Sequence, residues 1–518
     1  LESKTLTQEF GAVRSFLWPI RSHETRKIFP MLCMMFLICF NASILRCIKD
    51  SVVVTASNAE VLPFIKVWAV LPMAVVLTLL FAKLNNRYSQ ERVFYLMISG
   101  FLAFYALFAF VIYPNSDFFH PHATADAIQA ALPRGFAGLV SMFRYWTFSL
   151  FYVLAELWNS IVLTVLFWGF ANEVTKVHEA KRFYAVLAIG SNIAAAFAGQ
   201  AANSLSVGGV YNESLPFGSN AFEQTLMISI FVIICTGIIT MLIFRWMNKR
   251  VLDDPQFDDL HFTRFELKKK KKMSVRESFS FLSNSRYLVC IAMMVVGYNL
   301  VINMVEVVWK NQLREVYSSP SDYYRFMNNL TTAFGMVSTV TALFLPRIIG
   351  KFGWTSTALI TPAIMLVTSL GFFGFLLFGD NLGGAWLAAL GMSPAMLVVM
   401  FGALQNCLSK AAKYSVFDAT KEMSFIPLDH EVKLKGKAAI DGVGSRFGKS
   451  GGSLVHQGML MVFGSLSTSA PYVAAILMAM IAFWIGAVRS LGRQFQELTH
   501  QGEPEKASDL VKEEPVVA

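Results

Sequence analysis

Apolar stretches of about twenty residues or more recur along almost the whole chain, long enough to cross a bilayer as helices. In hydrocarbon every backbone N–H and C=O must find its partner within the protein, and a helix does this for itself. Segments at about 29–53, 61–84, 92–113, 137–171, 178–206 and 222–248 read as six such helices. Those at about 286–316, 322–350, 354–378, 393–420, 436–464 and 469–493 read as six more. Composition agrees: 55% of the 518 residues are hydrophobic and 15% charged, whereas soluble domains are about a quarter charged. The expected fold class is an all-α membrane protein, with twelve transmembrane helices in two pseudo-symmetric six-helix halves.

The seam between the halves is the charged, proline-containing stretch KRVLDDPQFDDLHFTRFELKKKKKMS. The chain divides accordingly into an N-terminal segment (1–28), a first half (29–248), a basic linker (249–285), a second half (286–496) and a disordered tail (497–518). Weak echoes support duplication. NSIVLTVLFWGF (159–170) in the fourth span faces NCLSKAAKYSVF (406–417) in the tenth, and AIGSN (188–192) in the fifth faces GVGSR (442–446) in the eleventh. That layout is major-facilitator-like.

Basic residues collect in one set of loops, around Lys83 and Arg87, Lys181 and Arg182, Lys268 through Lys272, Arg347 and Lys351, and Lys433 to Lys437. The opposite loops hold Arg134, with Arg314 and Arg325 flanking one turn. The positive-inside rule then puts both termini in the cytoplasm. Residues 1–28 lack the short apolar core of a secretory signal. The six cysteines are scattered without paired spacing, which argues against a disulfide framework or metal site. No cofactor is expected. The net charge of +10 resides in the loops, and no nucleic-acid-binding module is present.

Polar residues inside the spans fall on stripes, since positions three and four apart share a helix face. The fourth span carries Tyr145, Ser149, Tyr152, Glu156 and Asn159; the seventh carries Asn299, Asn303, Glu306 and Lys310. The tenth presents Asn406, Lys410 and Lys413, the eleventh Asp441, Ser445, Lys449 and Ser453 with Arg446 nearby, and the first Arg46, Lys49 and Asp50. A charge within a membrane costs about 3 kcal/mol on insertion scales, so such stripes should converge on a central cavity. Cations outnumber carboxylates there, which suits a solute with several phosphates. Some pair locally: Asp50 with Arg46, and Lys310 with Glu306. Lys410 and Lys413 are expected to snorkel, and Arg144 to cap or gate. Lys49, Arg446 and Lys449 are then left without obvious partners. GVGSRFGKSGGS misses the spacing of a phosphate-binding Walker loop; its Gly444, Gly448 and Gly452 instead permit close helix approach. Tyr145, Tyr152, Trp158 and Trp309 are candidates for stacking on a nucleobase.

RCIKDSVVV, FYVLAELWNS, VEVVWKNQL and GKAAIDGVGSRFGKSGGSL, in this order and across essentially the whole chain, resemble the ATP/ADP translocases of obligate intracellular bacteria and plastids, the chlamydial members above all. The resemblance implies import of host ATP in exchange for ADP, with phosphate movement in some relatives, through a bacterial inner membrane and without enzymatic chemistry. It marks Lys49, Glu156, Glu306 and Lys449 as important for transport. Substrate-binding candidates are thus Arg46, Lys49, Glu156, Asn159, Asn303, Glu306, Lys310, Asp441, Arg446 and Lys449. Arg144, Asp50, Tyr145 and Tyr152 are gating or accessory. A functional monomer working by alternating access is expected. The alternative is a proton-coupled nucleotide importer of the same fold, with Glu156, Glu306 or Asp441 titrating; rivals of other classes are a membrane ATPase and a non-transporting scaffold.

Overall fold

The computed structural model describes residues 20–175, 177–251, 285–382, 393–428, 430–440 and 444–501. Asp441 and the lysine run at 268–272 lie outside them, as does the backbone of Lys176. The described chain is helices and short connections, with no strand among the described residues. The long helices are α1 (Ser22–Ser57), α2 (Val61–Arg87), α3 (Gln90–Ile112), α4 (Trp146–Val174), α5 (Val177–Leu205) and α6 (Ala221–Val251). They continue as α7 (Arg286–Val316), α8 (320–352), α9 (354–382), α10 (Pro394–Ser424), α11 (Ser445–Phe463) and α12 (Leu466–Gln501). Gly353 separates α8 from α9 with φ +73°, a value that suits glycine.

Among the described residues, ten helices are long and apolar enough to cross a membrane, and α8 and α11 are not among them. Both read as spans in the sequence, and both are diluted by polar residues that turn inward. Asn328, Thr331 and Thr332 of α8, and Ser453, His456 and Gln457 of α11, are buried. The fourth span also differs from expectation. Its expected single helix over 137–171 breaks at Tyr145 (φ −105°, ψ 47°), between a short helix Ala137–Arg144 and α4. The break is held by a connecting helix, His122–Ala131. Arg144 pairs with its Asp126, and Tyr145 packs its ring against His120 and His122.

Small residues set how closely the helices approach. A side-chain carbon on Gly448 would lie 2.8 Å from Asn299 Cβ, and one on Gly452 3.3 Å from Asn303 Cβ, so α11 rests directly on α7. On α8, a carbon at Gly335 would come within 2.7 Å of the Asn192 carbonyl oxygen of α5. The first six helices thus meet the last six along α5 and α8. They also meet where α2 crosses α11. Gln457 Nε2 donates to the Pro63 carbonyl (2.9 Å), Trp68 Nε1 donates to Gln457 Oε1 (3.1 Å), and Leu466 N donates to Glu60 Oε1 (3.2 Å). These bonds lie at the end of the bundle remote from the start of α1 and the finish of α12, here the far end. Toward the other, basic end, none of the residues Leu71–Arg87 of α2 is buried.

Candidate functional site

Between the two sets of helices, nearer the far end, the charged residues of α1, α2, α4, α7 and α10 come together. Asp50 is the first anchor. Its Oδ2 lies 2.8 Å from Lys310 Nζ of α7, both side chains 1% exposed, and its Oδ1 lies 3.0 Å from Lys49 Nζ. Lys49 in turn reaches Glu156 Oε2 of α4 at 3.1 Å and sits 3.8 Å from the centre of the Tyr152 ring. Glu306 is the second anchor. Its carboxylate meets Lys310 at 3.2 Å, Lys66 of α2 at 3.4 Å and Lys410 of α10 at 3.8 Å. Lys66 Nζ also donates to Asn303 Oδ1 at 2.9 Å.

This arrangement corrects several expectations. Asp50 pairs with Lys49 and across to Lys310 rather than with Arg46. Arg46 is one turn away on the same helix, but two ammonium groups already occupy the carboxylate. Lys49, expected without a partner, has two carboxylates. Lys410 does not snorkel away but turns to Glu306. Lys413 lies over the rings of Tyr298 and Tyr414, at 5.7 and 4.7 Å. The expected Lys310–Glu306 pair is present, as part of the larger network. Arg144 and Tyr145 stand apart at the far-end connection.

Two of the proposed stacking aromatics serve packing. Trp158 Nε1 donates to the Ile38 carbonyl (3.2 Å) and Trp309 Nε1 to the Val399 carbonyl (3.0 Å), and both rings are buried. Tyr152 is different: among the described residues its buried hydroxyl has no hydrogen-bond partner, nor has that of Tyr323 on α8. Asn159 opens a π-helical stretch, Asn159–Phe167, and Lys413 opens another in α10, Lys413–Phe417. Wide turns of this kind occur often at functional sites, and here they fall in the two segments whose sequences echo each other.

Lys66 is the residue the stripes miss. It is a lone cation in FIKVWAV, with no polar residue three or four positions away to draw attention to it. It lies in one of the other π-helical stretches, Ile65–Val70. Toward the basic end, Arg46 and Lys449 lie beyond the network. Among the described residues no carboxylate comes within 4 Å of Arg46 or Lys449, and Lys449 is exposed. Arg446 occupies the first turn of α11. Counting Arg46 and Lys449 with the network's Lys49, Lys66, Lys310 and Lys410 gives six cations against Asp50, Glu156 and Glu306, a surplus of three positive charges in this set. Chemically the site can hold a polyanion, with charge-assisted donors from both sets of helices.

Comparison with known proteins identifies the family. A family profile described as TLC ATP/ADP transporter matches residues 3–495. The "ADP,ATP carrier protein 1" of Chlamydia trachomatis is 46% identical over 517 residues, covering 99% of this chain and 96% of that one. The "Plastidic ATP/ADP-transporter" of Solanum tuberosum is 43% identical, covering 93% of this chain and 75% of that one. Among solved structures, a D-xylose-proton symporter superposes with TM-score 0.55 at 10% identity, covering 89% of this chain and 97% of that one. That likeness speaks to the fold alone, which is major-facilitator-like. Matched by the profile over nearly its full length and by its relatives over the helices that carry the charged network, the chain belongs to the TLC ATP/ADP transporter family.

Proposed function

We propose that this protein is an antiporter that carries ATP inward in exchange for ADP by alternating access, with inorganic phosphate as a further anion of the same site. It works as a monomer in a bacterial inner membrane, its twelve helices all spanning and both termini cytoplasmic. The names of its relatives support the substrate. The observation that carries the mechanism is the surplus of positive charge around a network drawn from both helix sets.

Arg46 and Lys449, with no described carboxylate within 4 Å on the basic side, are the first groups to meet a phosphate chain arriving from there. The unpartnered hydroxyls of Tyr152 and Tyr323 are available for phosphate or ribose oxygens. As phosphate oxygens arrive, Lys49 can turn from Glu156 while keeping Asp50, and Lys410 can leave Glu306, which keeps Lys310 and Lys66. Without an anion the surplus charges resist being carried through a closed, dry intermediate, since an uncompensated charge there costs about 3 kcal/mol. Obligatory exchange follows from that penalty: the empty carrier stays put and the loaded one reorients.

Counter-exchange in liposomes tests the reading. Vesicles loaded with labelled ADP should release it when ATP is supplied outside and retain it in nucleotide-free buffer. Rapid efflux into nucleotide-free buffer would remove the exchange mechanism. Uptake driven by a proton gradient into empty vesicles would select the proton-coupled importer instead.

A further inference from the structure

A second cationic site lies well away from this network. At the basic end, Arg286 in the first turn of α7 and Arg489 and Arg493 of α12 line a cavity of about 400 Å³ together with Gly486, Ser490, Gln494 and Glu497. Glu306 is twenty residues further along α7 than Arg286, which at 1.5 Å per residue separates the two sites by ~30 Å. Arg489 and Arg493 are one turn apart on the same face, an arrangement of like charges that weakens a helix. Arg286 stands where the positive end of the α7 dipole also disfavours a cation. Among the described residues no carboxylate lies within 4 Å of any of the three, although Glu497 also lines the cavity. Three guanidinium groups from two helices are thus gathered around a single described carboxylate, Glu497, which lies more than 4 Å from each.

The face continues as an apolar track. One turn from Arg489, a side chain on Gly486 would meet open space, with nothing within 4 Å. The next turn presents Phe483, 63% exposed. A charged pocket at the edge of a membrane-spanning helix, opening onto bare apolar surface, matches a molecule with an anionic head and a hydrocarbon tail. We propose that Arg286, Arg489 and Arg493 bind the phosphate headgroup of an anionic membrane lipid, with an acyl chain lying over Gly486 against Phe483.

Native mass spectrometry of the full-length protein in neutral detergent tests this, with phosphatidylglycerol, phosphatidylcholine and inorganic phosphate as separate probes. Phosphatidylglycerol should bind at least tenfold more tightly than phosphatidylcholine, and the double variant Arg489→Gln, Arg493→Gln should lose that preference. Arg489→Lys with Arg493→Lys should retain most of it. Gly486→Leu leaves all three arginines in place and should weaken lipid binding severalfold by filling the chain track. Equal binding of the two lipids, or a preference undiminished by the double glutamine variant, overturns the proposal. So does lipid binding that inorganic phosphate abolishes and Gly486→Leu leaves unchanged, which would make the pocket a site for free phosphate.

Discussion

Replacing Lys66 with methionine removes a cation that bonds across the two helix sets while keeping the length of its stem. The ammonium group gives up 2.9 Å and 3.4 Å contacts to Asn303 and Glu306 of α7. A hydrogen bond to a charged group is worth about 1.5–3 kcal/mol net. Glu306 keeps Lys310 at 3.2 Å and Lys410 at 3.8 Å, so the carboxylate is not stranded and the lower part of that range applies. When the far end parts, Lys66 must leave α7 and become hydrated, so the loss falls on the conformation described here. About 1.5–2 kcal/mol shifts the ratio of closed to open far ends roughly ten- to thirtyfold toward open. Spin labels at Phe118 and Val462, both exposed near the far end, report that ratio as a change in distance distribution. Lys66→Arg should preserve the closed population. An unchanged distribution in Lys66→Met, in a preparation where Gln457→Ala does open the far end, would refute the argument that Lys66 holds the two sets together.

Asp50→Asn leaves Lys310 buried with Glu306 alone, and breaking a buried pair in this way costs about 3–5 kcal/mol; thermal melting of the purified protein should show a large loss, and a shift equivalent to under about 1 kcal/mol would contradict it. Gly335→Val puts a branched side chain against the α5 backbone, 2.7 Å from the Asn192 oxygen even at its first carbon, so overpacking of about 1–3 kcal/mol should force α5 and α8 apart and lower both melting temperature and nucleotide exchange. At the far-end connection, burial, with His122 adding to it, pushes the pKa of His120 down to about 4, below an ordinary value of about 6.5. Its neutral ring shares a 2.7 Å hydrogen bond with Thr147. The unfolded chain therefore takes up this proton first. The contribution is complete above about pH 6.5 and is lost as pH falls toward 4, so His120→Gln should flatten that part of a stability–pH profile.

How much of this was legible in the sequence depends on which property is asked for. The spacing of Tyr152, Glu156, Asn303, Glu306 and Lys310 announced the faces that avoid lipid, because helical periodicity is local and a charge in hydrocarbon is costly. Partners were not legible, because they are set by which helix stands opposite. Asp50 lies one turn from Arg46, yet its bonds go to its neighbour Lys49 and to Lys310, 260 positions away. Lys66 escaped for the converse reason: a single cation without a stripe carries no periodic signal, and its significance comes entirely from Asn303 and Glu306 across the seam. Trp158 and Trp309 lay near the right stripes but point their indole N–H groups into neighbouring backbones. The echo between residues 159–170 and 406–417, weak as a string of letters, gains weight because both segments contain a π-helical stretch.

A buried ion pair is weak evidence for stability, since apolar residues of similar volume often serve as well. Four lysines sharing three carboxylates therefore call for a reason other than holding the fold together. The bonds differ in a way that suggests one. Asp50–Lys310 is fully enclosed, at 1% exposure on both sides, and joins the first helix of each set. Lys66–Glu306 is 16% and 18% exposed and lies beside the α2–α11 contacts that must part for the far end to open. Glu156, 45% exposed, faces the space between the sets. A network built only for stability would enclose all its members. On the proposed mechanism, one graded from enclosed to accessible members would let the outer lysines exchange carboxylate for phosphate without leaving the innermost pair bare. Transport selectivity on this view resides less in any single lysine than in how many partners each carboxylate can lose before its own charge is stranded.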